Sequence, residues 1–487
     1  MKKFLTLLLL AVMLFALVGC NGNFVEEKSR NADNYTIVMS YDNDNHKLSA
    51  TQTVTVTNRW DEGVDSLKFH IYANQYRQDA SWSVVTSSYR SKAYPNGSSW
   101  GNITFDSVSC NGEAVPYVIE GQDMDILSVP LKETLQPFQT VEVDMTYEIQ
   151  LANILHRLGY GNNTVNLGNF YPVLCFWEDG EFQCTPYYNI GDPFVTEVAN
   201  YDVTVNVPTE FLVASTGALA ESKTEEQRTT YRYTALAVRD FAMVLSDKFK
   251  VTSQQLGDVT VNYYYFADSD SASTLSVAAG MLSYLSEKVG KYPYSVFNVA
   301  EADFCYGGME YPNLALVTSG SSQYLTATAH ETAHQWFYAL IGNDQIKYAW
   351  MDEGLTEFVT MLYMDTVQEG SLHTSIKNAF RTYTTYVDVL GQYGKLDVSL
   401  RAIPQYKSDS EYVYMTYVKS SLMFYSLYQT MGETKFYKAL SDYYNNCKLT
   451  VAHPQNMVSS FSKAFGSDMS GVFDSFVEGK DIIGQVE

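Results

Sequence analysis

Positive charge is in short supply in this sequence. Its 487 residues carry 32 Lys and Arg against 55 Asp and Glu, a formal net charge of −23. That balance argues against nucleic acid as a partner, because phosphate binding needs a basic face. Charged residues make up only 18 % and hydrophobic ones 46 %, which excludes a disordered chain. Beyond residue 20 no apolar run is long enough to span a bilayer. Past Cys20 the cysteines are Cys110, Cys175, Cys184, Cys305 and Cys447, an odd set without metal-site spacing. Most read as small buried hydrophobes. Cys175 and Cys184 flank a turn, where a cross-strand disulfide fits but is not required. Histidine is scarce too, at seven residues, so two of them in register carry information.

What is present begins with a targeting segment. Lys2 and Lys3 open the chain, and Phe4 to Val18 is apolar but short for a membrane span. The run ends in Leu17-Val18-Gly19-Cys20, which resembles a bacterial lipobox. The resemblance implies a signal peptide over 1–20, lipid on Cys20, and a polar tether over 21–33. It further implies an extracytoplasmic protein, lipid-anchored to the bacterial cell membrane.

The length predicts two or three domains. From residue 34 to about 250 the hydrophobic period is two: Leu67, Phe69 and Ile71, then Val141 to Ile149, then Val203, Val205 and Val207. Asn96-Gly97 and Asn111-Gly112 punctuate these runs as turns. This stretch reads as an antiparallel β domain. After about residue 251 one more strand, Val259 to Phe266, leads into helical spacing. Asp270 reads as an N-cap ahead of Leu275, Leu282, Leu285 and Val289. Further helices are predicted near 322–341, 353–366, 413–431, 434–446 and 456–465, with Gly342, Gly432 and Gly466 as C-terminal caps. The fold class is α+β in two domains, 34–250 and 251–487.

Residues 330–334 read His330-Glu331-Thr332-Ala333-His334. On a helix, positions i and i+4 share a face, so two neutral imidazoles can bind one cation, and zinc suits them. Glu331 is offset by one residue. That places its carboxylate beside the metal as a base for water rather than as a ligand. A catalytic zinc needs a third protein ligand. Glu353 follows His334 after eighteen residues and opens a helical stretch, and Glu357 lies one turn further on the same face. Glu357 can accept a hydrogen bond from a ligand imidazole.

These motifs together resemble the gluzincin aminopeptidases of the aminopeptidase N and leukotriene hydrolase type. In that family a glutamate ligand follows the second histidine after eighteen residues, in a Trp-x-Asn-Glu-Gly context. Here the context is Trp350-Met351-Asp352-Glu353-Gly354, with Asp352 in place of Asn. Gly307-Gly308-Met309-Glu310-Tyr311 resembles the family's Gly-x-Met-Glu-Asn, with Tyr311 in place of the last Asn. Tyr417-Val418-Lys419 resembles its Tyr-x-Lys-Gly, with Ser420 in place of Gly. The resemblance implies one zinc per chain on His330, His334 and Glu353, with Glu331 and Tyr417 catalytic. It implies that Glu310 anchors the substrate's α-amine, in a substrate-binding strand with Gly307, Gly308 and Met309. A second amine-binding residue would come from the β domain, where the sequence does not place it. The implied fold is a saddle-like antiparallel β domain followed by a thermolysin-like, mainly helical catalytic domain. The implied substrates are peptides with a free N-terminus. Two alternatives stay open: a zinc endopeptidase without a free-amine requirement, and a non-catalytic zinc-bearing surface lipoprotein that binds peptides.

Overall fold

The computed structural model describes residues 24–318, 320, 323–394 and 397–480. The lipobox and Cys20 lie outside the described residues. Strict alternation puts every second side chain on one face of a strand. Asp33–Asp42 follows it: Tyr35, Ile37, Met39 and Tyr41 are buried and the residues between them are exposed. This strand lies inside an eight-stranded sheet. It pairs antiparallel with Lys47–Thr57, which pairs in turn with Thr140–Gln150. Its other neighbour, Ala199–Pro208, runs parallel to it, the exception in an otherwise antiparallel sheet. A long excursion of chain joins those two strands, and a hairpin therefore does not fix their direction. Two four-stranded sheets, one around Val64–His70 and one around Met243–Ser246, share the same hydrophobic core. Asn111 and Gly112 both adopt positive φ, 50° and 77°, in the tight turn after Asn102–Cys110.

The second domain starts with a hairpin, Lys250–Leu256 against Val259–Tyr265. The first of these strands is mostly exposed, so it carries no alternation that a sequence reading could detect. Val296–Ala302 and Leu314–Thr318 continue the sheet in parallel, and Gly308–Met309 closes it as an antiparallel edge. Helices then dominate, packed into a second core that includes Leu282, Trp336, Phe358 and Phe424. The helix Ser271–Lys288 follows Asp270 as expected, but Asp270 makes no side-chain cap. Asp268 instead ties the start of the helix, accepting the Asp270 N–H and the Thr274 hydroxyl.

Three expectations need correction. The tether assigned to 21–33 contains a helix, Phe24–Ser29, which packs on the globule. Val25 is buried, the Phe24 ring meets Tyr444 edge-on at 6.4 Å, and Asn200 donates to the Ser29 carbonyl. One apolar pair in a polar segment was enough to dock it. The helix expected over 322–341 spans only Tyr324–Ala333. Gly342 is no cap: it lies in the strand Ile341–Asn343, paired in parallel with Thr450–Ala452. A Cβ on Gly342 would sit 2.2 Å from the Arg239 guanidinium carbon, so only glycine fits there.

Arg239 is buried where the two domains meet. Its guanidinium donates to three backbone carbonyls: Thr196 (2.6 Å) before the β domain's last strands, and Tyr338 (3.0 Å) and Thr450 (2.9 Å) in the catalytic domain.

Candidate active site

The helix Tyr324–Ala333 carries His330 and Glu331, and His334 caps its end. Glu353 sits in a wide, π-helical turn, Trp350–Gly354, and Tyr417 in a second one, Val413–Lys419. Such turns strain the backbone and recur at functional sites. The two touch where Gly354 faces Ser420: a Cβ on Gly354 would lie 2.2 Å from that of Ser420. Ser420 stands where the resembled motif has glycine, and glycine on the opposite turn makes room for it.

Three donor atoms converge. His330 Nε2 and His334 Nε2 are 3.1 Å apart, and each is 3.2 Å from Glu353 Oε2. Ligands about 2.05 Å from a tetrahedral ion are spaced at about 3.3 Å, so the triangle fits a metal ion of zinc's size. The outer imidazole nitrogens are engaged. His330 Nδ1 faces Glu357 Oε2 at 3.3 Å, while His334 Nδ1 donates to the Phe337 carbonyl at 2.9 Å with the Thr356 hydroxyl at 3.3 Å. Those partners hold the Nδ1 protons outward and aim the Nε2 lone pairs at the centre. Glu357 thus stands within reach of the outer nitrogen of His330.

Glu331 lies against Gly308, where a Cβ would come within 2.4 Å of its carboxylate. That glycine lets the carboxylate reach the pocket beside the metal-binding triangle. Burial pushes the Glu331 carboxyl up to about 7, with His330 and His334 opposing, a value suited to a group that must take a proton and give it back. Tyr417 stacks its ring on His330 at 6.0 Å. Burial raises its hydroxyl well above the usual range, which keeps the O–H available as a donor. Tyr412 packs edge-on against it at 5.9 Å.

Glu310 is only 3 % exposed. Its Oε1 accepts from Gln345, which also donates to Asp352, and its Oε2 has no hydrogen-bond partner among the described residues. Gly307, Gly308 and Glu310 line the pocket. Met309 does not: strand alternation turns its side chain away, and its sulfur accepts from Arg157 Nε at 3.3 Å. Met309 can therefore meet a bound peptide only through its backbone. Tyr311 also points away, into the β domain, where its hydroxyl donates to Asn169 and its ring end rests on Gly168.

Sequence reasoning missed Asp192 and Arg157, both buried contributions of the β domain to this pocket. They form an ion pair, and Arg157 also lies over the rings of Phe194 and Tyr306 at 5.5 Å each. Carboxylate oxygens of Asp192, Glu310 and Glu353 lie within 4.8 Å of one another. Asp192 sits in the loop Asn189-Ile190-Gly191-Asp192-Pro193, with no spacing signal to link it to residues over a hundred positions away. The whole pocket is about 430 Å³.

Residues 274–476 match the model of the peptidase family M1 domain. The catalytic half is thus similar to the peptidase family M1 domain over that stretch. Relatives include leucine aminopeptidase 2-1 of Meyerozyma guilliermondii, 26 % identical over 201 residues, which are 38 % of this chain and 32 % of that protein. Leukotriene A-4 hydrolase of Xenopus laevis is 22 % identical over 360 residues, 68 % of this chain and 56 % of that protein. The match thus spans about a third of the first relative's length and just over half of the second's. The two-domain fold as a whole is that of the M1 zinc metallopeptidase of Deinococcus radiodurans. A mutant of that protein superposes with a TM-score of 0.68 at 18 % identity, covering 93 % of this chain and 95 % of that one. The same protein with a Tyr-Ser-Ala substrate gives 0.66 at 16 % identity, with the same coverage. All three metal-binding candidates, Glu331 and Tyr417 fall inside the matched span, while Asp192 and Arg157 lie outside it.

Proposed function

We propose that the protein is a zinc-dependent aminopeptidase that removes the first residue from peptides. The observation that carries this reading is the group of buried carboxylates beside the metal-binding triangle. Glu353 is a ligand candidate and Asp192 has Arg157, but Glu310 has no cation of its own. A buried carboxylate without a cationic partner is costly, and a substrate ammonium would supply that partner with charge-assisted hydrogen bonds. Asp192 stands close enough to share the ammonium, as the β domain's contribution.

His330, His334 and Glu353 would hold the zinc. When bound, zinc lowers the pKa of water to about 7 and polarises a carbonyl. Glu331 accepts a proton from the attacking water and passes it to the leaving amine. Tyr417 donates its O–H to the oxygen that gains charge. The edge strand Gly308–Met309, whose Gly308 lines the pocket, offers a backbone for the peptide to pair with. Glu310 and Asp192 fix the register, so the bond after the first residue meets the catalytic groups.

The test is a pair of peptides that differ only in N-acetylation. Acetylation removes the ammonium and leaves Glu310 buried without a partner, at a cost of about 2–5 kcal/mol. Wild type is therefore expected to prefer the free peptide by at least tenfold in kcat/KM, and Glu310→Ala to lose that preference. Equal cleavage of both twins by wild type would make the enzyme an endopeptidase. Discrimination that survives in Glu310→Ala would move the anchor to Asp192.

The location belongs to the same proposal. Lys2, Lys3, the apolar run and Cys20 support an exported lipoprotein working outside the cell. Cys20→Ser is expected to shift the chain from the membrane fraction to the soluble one, and an unchanged distribution would remove the anchor from the account.

A further inference from the structure

We infer that Asp409 makes the pocket select a peptide whose first side chain is cationic, arginine or lysine. This inference rests on the aminopeptidase reading. With the amine held at Glu310 and Asp192, and the first carbonyl at the metal-binding triangle, the side chain has the rest of the pocket. That part is walled by Tyr89, Tyr306, Tyr412, Val413 and Asp409. Asp409 opens the short helix Asp409–Tyr412, so it stands one turn from Tyr412, whose hydroxyl reaches Gly191 beside Asp192. The carboxylate and the amine anchor are thus on one continuous wall.

The carboxylate is positioned but not neutralised. Its Oδ2 accepts the hydroxyls of Thr86 and Ser88, which reach across from the β domain. Its Oδ1 has no partner among the described residues, and no lysine or arginine there forms a salt bridge with it. Two neutral donors orient a charge without cancelling it, and leave the free oxygen for a ligand. Tyr89 and Tyr306 meet at 4.7 Å, and each already carries a cation on its face: Lys92 5.6 Å from the Tyr89 centroid, and Arg157 5.5 Å from that of Tyr306. The pocket's own cation, Arg157, is committed to Asp192 and to the faces of Phe194 and Tyr306. A positive side chain therefore meets a carboxylate oxygen that no cation among the described residues neutralises.

Arginine and citrulline have the same shape and differ in charge, so they isolate the term. The experiment compares kcat/KM for arginyl and citrullyl amides carrying the same leaving group, with a leucyl amide as reference. Wild type is expected to favour arginine over citrulline by about tenfold to a hundredfold. The ratio should shrink as salt is raised, because Asp409 is only partly buried. In Asp409→Asn the ratio should fall to near one. A ratio within one preparation is insensitive to how much of the variant is folded, and the salt series needs no variant at all. A wild-type ratio near one with good leucyl turnover would overturn the inference and leave the aminopeptidase standing. A ratio unchanged in Asp409→Asn would overturn it as well. Failure of wild type to cleave any of the three amides would overturn the parent reading and this one with it.

Discussion

Glu331→Gln is expected to keep its zinc and to lose about 10⁴ in kcat, the upper end of what a positioned acid–base group contributes. The substitution is nearly isosteric, so the side chain still rests on Gly308 and the triangle of His330, His334 and Glu353 is undisturbed. What disappears is the ability to take a proton and return it. Tyr417→Phe, measured alongside, should cost less, about 10²–10³, because it removes one donor to the developing oxyanion and leaves the base in place. Both losses should appear in kcat with little change in KM, since neither group is needed to bind the ground state. Zinc analysis and kinetics on the same preparations check the pair. Activity within tenfold of wild type in Glu331→Gln would require a different base, and a change in KM alone for Tyr417→Phe would make that tyrosine a binding residue.

His334→Ala is expected to remove both metal and activity. Two of the triangle's 3.1–3.2 Å edges end at His334 Nε2, so its loss leaves one imidazole and one carboxylate. That is one ligand short of the usual three in a catalytic zinc site. Zinc content after dialysis should fall from about one per chain to near zero, and turnover should fall to background. The loss of ion should also lower thermal stability, because binding to the folded state alone adds to it. His334→Ala also leaves Glu353 buried with one imidazole fewer, which adds to the destabilisation. Full zinc retention in this variant would refute the ligand set.

The site was legible to the extent that its chemistry follows local spacing. His330 and His334 share a helix face by periodicity, and Glu357 follows Glu353 by one turn. The two domains were legible because Leu67, Phe69 and Ile71 alternate, whereas Leu275, Leu282 and Leu285 follow helical spacing. Residues that reach the pocket from afar were not legible. Asp192, Arg157 and Asp409 are ordinary loop or helix-end charges until the chain brings them together. The direction of the Met309 side chain was not legible in the motif, which treats five residues as a unit, whereas strand alternation turns that side chain away from the pocket. Gly342 was misplaced because a glycine after a helical pattern looks the same whether it ends a helix or yields to an arginine.

Arg239 has a consequence for how the molecule can be divided. Its guanidinium belongs to the β domain by sequence, but two of its three acceptors belong to the catalytic half. Cutting the chain near residue 250 would strand a buried cation on one fragment and orphan carbonyls on the other. Loss of the partners of a buried charge costs on the order of 3–5 kcal/mol, a large share of the net stability of a domain. The catalytic half is therefore not a portable module that happens to carry a β-rich appendage. The two halves form one cooperative unit, and any loosening at this joint would reach the pocket that both halves build.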